Sequence, residues 1–448
     1  MPASTLPPLR REFRLPATAL LLGGLAALPA HAVPAFARQT GAECAACHVG
    51  AFGPQLTPFG MQFKIGGYTD SNGSDALPLS GMLLANRTHT ARDASEAPDH
   101  FGTNDNSALQ EASVFLAGRL AERIGAFVQS TYSGVDRAWA LDQFDVRYAR
   151  PVSLGGRDAT LGLSINGNPT LTDPLNTIGQ WRFPYTESDF GFGQGPTPLV
   201  ENLAGGVVGA NAYLQWGPHW YGEMGLYGSL SPRVIGMFNG EDAGRLPHPG
   251  TYLRLAWMDD RKRDHLALGM SAFLASLAPD RASTAVDHYD DVGIDASYQW
   301  LGNRVHVATL GASLMHERQR LDASIAAGAA GVRGQSLTTW RLGGSYTYRQ
   351  TWGLSAQWFD SRGTADALRW GPGSLNGRPD TAGYVLQADW TPWGKEGSWG
   401  APWANLRVGL QYTGYRRYAG GSSYVDDGGG TRRARDNDTT MLFLWTSF

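Results

Sequence analysis

The stretch Leu337–Tyr348, LTTWRLGGSYTY, alternates between two kinds of side chain along its length. Residues of one face are apolar or aromatic and those of the other are mainly polar: Trp340, Leu342, Tyr346 and Tyr348 against Thr339, Arg341, Ser345 and Thr347. A period of two predicts a β-strand whose two faces meet different surroundings. The apolar face suits lipid and the polar face suits a wet lumen, as in a strand of a membrane-spanning barrel.

The same alternation recurs through most of the chain. Tyr384–Trp390 and Leu406–Thr413 repeat it, and from Ser80 onward we count about sixteen such segments. Each has roughly the ten residues that a tilted membrane strand needs. These patterns predict an all-β fold, namely an outer-membrane transmembrane β-barrel of about 16 strands that occupies residues 80–448.

The connections between the predicted strands alternate between short and long. Short ones fall near Ala121–Glu122, Gly217–Pro218, Asp259–Asp264, Leu301–Asn303 and Arg349–Gln350. Long ones fall at Ala91–Ala108, Asn168–Ala204, Leu230–Gly250, Gln319–Gln335, Ser361–Pro379 and Arg416–Asn437. Outer-membrane barrels have short periplasmic turns and long extracellular loops, whereas a soluble β-sandwich or propeller needs no such asymmetry. The alternation therefore favours the barrel.

Composition agrees with a barrel in the bacterial outer membrane. The 448 residues include 58 Gly, 15 Trp, 17 Tyr and 17 Phe, and only 17% are charged, which is low for a soluble domain. Several tryptophans adjoin the short turns, where an interfacial aromatic girdle belongs: Trp216, Trp220, Trp300, Trp352, Trp390 and Trp393. The last segment ends on Phe448, a familiar feature of outer-membrane proteins. The net charge of −3 is too small to suggest a nucleic-acid partner. Outer-membrane lipid is the surrounding that the apolar strand faces imply.

The N-terminus has the pattern of an export signal. Arg10, Arg11 and Arg14 precede the apolar run Leu15–Leu28, and Ala30-His31-Ala32 supplies a small-x-small cleavage site. We therefore expect a signal peptide over residues 1–32 and a mature chain that begins near Val33. Beyond it, no apolar run approaches the roughly 20 residues of a transmembrane helix.

The two cysteines of the chain lie in one motif, Cys44-Ala45-Ala46-Cys47-His48. Cys-x-x-Cys-His is the attachment sequence of c-type haem, in which both thiols bond the porphyrin and the histidine ligates the iron. A thioredoxin-like redox pair would need a βαβ context, and a zinc site would need three or four ligands. The motif therefore predicts one covalent haem c, with Cys44, Cys47 and His48 as its binding residues.

The sequence leaves the distal iron ligand open. Methionine is a common partner of histidine in electron-transfer haems, and Met61 lies thirteen residues after His48. Packing of Met61 beside Phe59 and Phe63 is an equally good explanation. Further side chains that could reach a haem in the lumen are Met82, His89, His265 and His306.

Residues 33–79, which carry the motif, are too few to build a cytochrome domain with its own core. A barrel of about sixteen strands leaves a channel wide enough to be filled by such a segment. We therefore expect a short N-terminal haem segment that plugs the lumen or its periplasmic mouth. There the protein around the porphyrin would exclude water and tune its reduction potential.

Motifs on both sides of the haem motif carry a resemblance. These are Pro34–Gly41 before it, Leu56–Gly60 and Gly67–Thr69 after it, and Asn168–Thr170 with Phe183–Tyr185 further on. With them the chain resembles the fused monohaem c-type cytochrome–porin family of iron-oxidising bacteria. The resemblance implies an outer-membrane iron oxidase that takes electrons from extracellular ferrous iron and passes them to a periplasmic c-type cytochrome or other carrier.

Two other functions fit the same residues. A porin or channel could use the haem segment as a structural plug, and a conduit could serve a different extracellular electron donor. No compact carboxylate–histidine cluster indicates an iron-docking site. Titratable residues in the predicted outer loops could attract a cation, although ordinary solvated loop charge is the better explanation: Asp99, His100 and Asp105, or Glu187 and Asp189.

Overall fold

The computed structural model of the protein describes residues 34–73, 77–395, 397–398, 400–401 and 403–448. The predicted signal peptide, residues 1–32, lies outside the described residues.

Strands account for about half of the described chain. Their bounds are β1 Leu79–Thr90, β2 Asn106–Ala121, β3 Ile124–Ser133, β4 Ala138–Leu154, β5 Arg157–Asn166, β6 Val207–Trp216, β7 Trp220–Ser229, β8 Gly250–Asp260, β9 Asp264–Leu277, β10 Asp287–Trp300, β11 His306–Arg320, β12 Gly334–Tyr348, β13 Trp352–Gly363, β14 Thr381–Trp390, β15 Asn405–Arg417, β16 Ser423–Val425, β17 Thr431–Arg433 and β18 Thr439–Ser447. Strands β1 to β15 and β18 form one closed antiparallel barrel, and β16 pairs only with β17.

The barrel closes where β1 pairs with the last strand, β18. Met82 lies opposite Ser447 and Thr90 lies opposite Thr439, with an unbroken register between them. Closure satisfies the backbone hydrogen bonds of every barrel strand, which an open sheet edge in lipid would not allow. The predicted fold, a barrel of sixteen strands, is confirmed.

The outer wall is apolar and the inner wall is polar, as the alternation predicts. In β12, Leu342 and Tyr346 are exposed while Thr339, Arg341 and Thr347 are buried. Leucines recur on the exposed face of most strands, for example Leu163, Leu226, Leu255, Leu310, Leu354, Leu386, Leu410 and Leu442. A closed barrel with such a band is placed in the outer membrane, because only lipid can cover this much exposed leucine.

Aromatic residues ring the end of the barrel that carries the short turns. Trp220, Trp300, Trp352 and Trp390 are all exposed there, and the rings of Trp352 and Trp390 stack with centroids 6.0 Å apart. Amphipathic rings favour the headgroup region of a bilayer. Strand β1 begins at this end and strand β18 finishes at it. This is the periplasmic end of the barrel.

The loop asymmetry is present, with three departures from the predicted pattern. Two outer connections, 134–137 and 278–286, are shorter than the six predicted loops. Ser133 and Asp136 tighten the first of them through a hydrogen bond of 2.9 Å. At the periplasmic end the connection 391–404 is long, and it reaches the N-terminal segment through a bond from the Gly397 amide to Glu43.

The described helices are short, and none of them forms part of the barrel wall. Their bounds are α1 Pro34–Thr40, α2 Cys44–Cys47, α3 Pro58–Ile65, α4 Pro232–Met237, α5 Asp322–Ala326 and α6 Ala367–Trp370, with 3₁₀ turns at Val49–Ala51, Pro169–Thr172, Gly179–Trp181, Leu199–Glu201 and Ala434–Asn437. Among the described helices, none has the length and apolar character to cross a membrane.

Residues 34–73, here called the plug, lie within the periplasmic half of the lumen. Inward-facing side chains of well-separated strands hydrogen-bond its backbone: Tyr213 to Ile65, Gln299 to Leu56, Asn405 to Ala51 and Arg407 to Gly50. The Phe52 ring packs edge-on against Trp445 with centroids 5.0 Å apart. The plug is therefore enclosed by the barrel, as its small size required.

Close approach of the plug to the wall requires glycine at Gly125. A Cβ atom on this residue would lie 2.2 Å from the Gly67 carbonyl oxygen, closer than any side chain tolerates. The main chain of the plug thus lies directly against β3, and no side chain separates the two.

Candidate haem site

The haem motif forms a single helical turn at the periplasmic face of the plug. Cys44 and Cys47 are both half-buried and neither is in a disulfide. The His48 amide donates to the Cys44 carbonyl over 2.9 Å, and His48 itself is extended at φ −120° and ψ 135°. The chain thus leaves the turn immediately after the second cysteine, and the imidazole is carried by an extended residue.

Helix α3 holds this turn in place. The Thr57 amide donates to the Cys47 carbonyl over 2.8 Å, and the Thr57 hydroxyl donates to Ala46 over 2.5 Å. The same hydroxyl caps α3 by accepting from the Gly60 amide, as an N-cap threonine does. One residue therefore fixes the motif and begins the helix that supports it.

The Gly60→Ala substitution tests this packing. A Cβ at position 60 would lie 2.4 Å from the Cys47 carbonyl oxygen, a backbone atom that cannot rotate away. We expect a local cost of about 1–3 kcal/mol, seen as a roughly 5- to 150-fold faster proteolytic cleavage within residues 34–73.

The control for this variant is Gly222→Ala in β7, where a Cβ would meet nothing within 4 Å. Cleavage of the control should match that of the unaltered protein. Equal cleavage of Gly60→Ala and the control would show that α3 does not support the motif.

His48 has the features of a metal ligand. Its Nδ1 atom is buried without a hydrogen-bond partner in the described structure. Burial lowers the pKa of the imidazole to about 4, with the backbone of Gly53 acting in the opposite direction and the charge of Arg407 adding to the decrease. The ring is therefore neutral at pH 7, which is the form that binds a metal. The residues present fit a c-type haem: two free thiols on one turn, followed by a neutral imidazole.

The two thiols differ from those of a redox-active dithiol. Burial raises the pKa of Cys47 to about 12, with the charge of Cys44 contributing, and burial also raises the pKa of Cys44. Reactive Cys-x-x-Cys pairs have a lowered pKa, because the thiolate is the nucleophile. The environment of these thiols thus argues against a thioredoxin-like site.

Met61 is 1% exposed and packs in an apolar cluster. The cluster joins the plug to the wall and to an inner loop: Leu56, Ile65, Leu175, Tyr213, Tyr221, Ala256, Met258 and Ala267. This packing accounts for the burial of Met61, and its role as a distal ligand stays a prediction. Met82 belongs to a different cluster, with Ala35, Phe115 and Ala117.

The structure separates the candidate histidines by the face they occupy. His89 and His306 are on the outer face of the wall, so the prediction that they could reach a haem in the lumen is wrong. His89 bonds Asp105 over 3.1 Å, and His306 bonds Tyr346 over 2.6 Å. His265 is on the inner face of β9 and is buried.

A buried lysine connects the plug to the loop that covers it. The Lys64 ammonium donates to the carbonyls of Leu171 and Asp173 over 2.8 and 2.7 Å, and to the Asn176 side chain over 2.7 Å. Burial lowers its pKa to about 7, together with the charge of Arg147. Its three acceptors belong to residues 167–206, here called the inner loop.

Arg147 joins the plug, the inner loop and the wall. It is fully buried in β4, where it pairs with Asp145 at 2.7 Å. Its two terminal nitrogens donate to the carbonyls of Lys64 and Thr172 over 3.2 and 3.0 Å. The Tyr68 hydroxyl also donates to Asp145. Because every donor and acceptor here has a partner, the network can be buried at acceptable cost.

The inner loop folds into the lumen and covers the plug. A cavity of about 100 Å³ lies between them and four strands of the wall. Polar atoms that line it without a protein partner are Arg341 Nε, Ser297 Oγ, Gln299 Oε1 and Gln357 Oε1. Such a cavity is hydrated, since buried polar atoms need partners. The sequence does not predict this cavity, because its lining comes from six segments that are far apart in the chain.

The acidic residues proposed to attract a cation are not assembled into a site. Within the described chain, no group of three or more histidine, cysteine, aspartate and glutamate side chains could hold a metal ion. Glu187 accepts from Gln194, and Asp189 lies two residues further along the inner loop. Burial raises the pKa of Asp189 to about 6, and the charge of Asp136 adds to the increase.

These features define the class of the protein: a porin-type outer-membrane β-barrel of sixteen strands whose lumen holds a plug. No protein-family profile matches the chain, and no curated sequence relative matches it. Among solved structures it is similar to the outer-membrane protein OmpT of Vibrio cholerae, with 8% identity, TM-score 0.40 and coverage of 83% and 96% of the two chains.

Two further solved structures show the same level of similarity. The outer-membrane channel DcaP of Acinetobacter baumannii has 9% identity, TM-score 0.45 and coverage of 83% and 96% of the two chains. The anion-selective porin from Comamonas acidovorans has 11% identity, TM-score 0.45 and coverage of 83% and 98%. The class assigned to this chain stands on its own strand topology and outer surface.

Proposed function

We propose that this outer-membrane barrel is an electron conduit that carries one c-type haem in its plug. Cys44 and Cys47 hold the haem covalently and His48 is its proximal ligand. The observation that carries the proposal is the Cys-x-x-Cys-His motif. It forms one half-buried turn of a segment that the barrel encloses. The resemblance of the plug to the cytochrome–porin family of iron-oxidising bacteria supports the same function.

When bound, a c-type haem supplies one one-electron redox centre. The protein around it does the positioning. Thr57 and α3 hold the turn that carries the motif. Asn405 and Arg407 bind the backbone at Ala51 and Gly50, just beyond the histidine. Cys44, Cys47 and His48 are half-buried and the His48 Nδ1 atom is fully buried, and burial of a haem is one of the means by which proteins tune redox potential.

The proposed donor is extracellular ferrous iron and the proposed acceptor is a periplasmic c-type cytochrome or other carrier. Each ferrous ion gives up one electron and leaves as ferric ion, and the carrier accepts that electron in the periplasm. The plug's position supports this direction, because the motif is near the periplasmic mouth. The hydrated cavity between the plug, the inner loop and the wall gives a polar region next to the plug.

The test is stopped-flow visible absorbance with haem-loaded protein mixed anaerobically with ferrous iron near neutral pH. We expect the reduced α-band to grow, with one iron oxidised per chain. Reduction by dithionite alone would overturn iron as the donor and leave a conduit for another donor. The spectrum of a His48→Ala variant reduced by dithionite serves as the reference for a haem with altered iron ligation.

A channel with a structural plug is the second candidate. The hydrated cavity favours it, because a lumen with unpaired polar atoms can hold small solutes. Its plug would block flow unless it moved. A channel would show slow haem reduction by every external donor, so the same experiment separates it from the conduit.

A further inference from the structure

We propose that His265 is the distal ligand of the haem iron, an inference that rests on the proposed function. The side chain is 2% exposed on the inner face of β9, and both ring nitrogens are buried without a hydrogen-bond partner. An imidazole that buries two polar atoms without partners costs free energy, so its place needs an explanation.

His265 differs in this respect from every other described histidine of the barrel wall. Each of the other four histidines on the described strands has a side-chain partner: His89 with Asp105, His288 with Ser276, His306 with Tyr346 and His316 with Thr338. His219, in a periplasmic turn, bonds the Met258 carbonyl over 2.7 Å. A ring left without protein partners at the inner wall is available to an iron.

The wall brings His265 close to the haem motif. Its directly opposite neighbour on β10 is Gln299, and such neighbours have Cβ atoms about 5 Å apart. The Gln299 amide donates to the Leu56 carbonyl over 2.7 Å. Leu56 in turn pairs with His48 in an isolated β-bridge. The side chain of Gln299 and the backbone of Leu56 thus connect the wall beside His265 to the backbone of His48.

Met61 is less well placed for the same role. It packs against Met258 and Ala267 in a complete apolar cluster. Ala267 is two residues from His265 on the same inner face, so both candidates face the same part of the lumen. Only His265 has unsatisfied ligand atoms there. Imidazole is also a common haem ligand, and replacing it with methionine raises the potential.

The test uses full-length, haem-loaded protein from outer membranes and compares His265→Ala with Met61→Leu. We expect the unaltered ferric haem to be low-spin, with two nitrogen ligands by electron paramagnetic resonance and near-infrared magnetic circular dichroism. His265→Ala should become mostly high-spin, and added imidazole should restore the low-spin form. Met61→Leu should keep the unaltered spectrum, and His265→Met should raise the reduction potential.

Two outcomes would overturn the inference. One is an unchanged spectrum in His265→Ala. The other is a methionine-to-iron charge-transfer band in the unaltered protein that Met61→Leu abolishes. If His265→Ala fails to fold, judged by heat-dependent gel migration, His265→Gln replaces it because its side chain fills more of the site. A folded, unaltered protein without covalent haem would instead overturn the proposed function itself.

Discussion

Replacement of both cysteines by serine, in the variant Cys44→Ser with Cys47→Ser, is expected to abolish haem attachment completely. Both thioether bonds need a cysteine sulfur, and the chain has no other cysteine to supply one. The barrel should still fold, because neither residue belongs to a strand. Haem-dependent peroxidase staining of a denaturing gel checks the result, since only covalently bound haem survives denaturation.

A matched control is Ala45→Ser with Ala46→Ser, which introduces the same two hydroxyls into the same helical turn. The control should stain as strongly as the unaltered protein. Each single cysteine variant should retain haem through one bond, with a shifted α-band. Haem staining that persists in the double variant would contradict the assignment of the motif.

The Arg147→Leu variant is expected to release the plug and the inner loop without removing the haem. The substitution leaves Asp145 buried without its cation and removes the donors to Lys64 and Thr172. Loss of one partner from a buried pair costs about 3–5 kcal/mol. We expect a rise of at least tenfold in single-channel conductance in planar bilayers, since the plug fills the periplasmic half of the lumen.

The control for Arg147→Leu is Arg150→Leu, three residues along the same strand but exposed on its outer face. Its conductance should equal that of the unaltered protein. Haem content, measured on the same samples, should be the same in all three proteins. Equal conductance of Arg147→Leu and Arg150→Leu would show that the buried network does not hold the plug.

The barrel could be predicted from sequence because its code is local. Each strand carries its own alternation, so Leu337–Tyr348 alone shows which residues face lipid and which face the lumen. The location of the plug could also be predicted from its length. A segment too short to build its own core must pack against another part of the chain.

The faces of the histidines could have been read from the same alternation. His306 has the parity of Leu310 and Leu314 in β11, which face lipid, so it could not point into the lumen. His265 has the parity of the buried Ser271 and Phe273. The same alternation therefore excludes His306 from the lumen and directs His265 toward it.

The fastening of the plug could not be predicted. Lys64 donates mainly to backbone carbonyls of the inner loop, and any residue type could supply these. Arg147 joins Lys64, which lies 83 residues earlier in the chain, to Thr172, which lies 25 residues later. Contacts of this kind depend on how the inner loop folds into the lumen, and neither composition nor periodicity encodes that fold.

We propose that one haem is bound covalently at Cys44 and Cys47 in the plug of this barrel. The most direct test is the intact mass of the unaltered protein purified from outer membranes, followed by fragment mapping. We expect the mass of the polypeptide plus one haem, with the addition located on the peptide that contains Cys44–Cys47. A folded barrel with the mass of the bare polypeptide, and two cysteines free or joined in a disulfide, would contradict it.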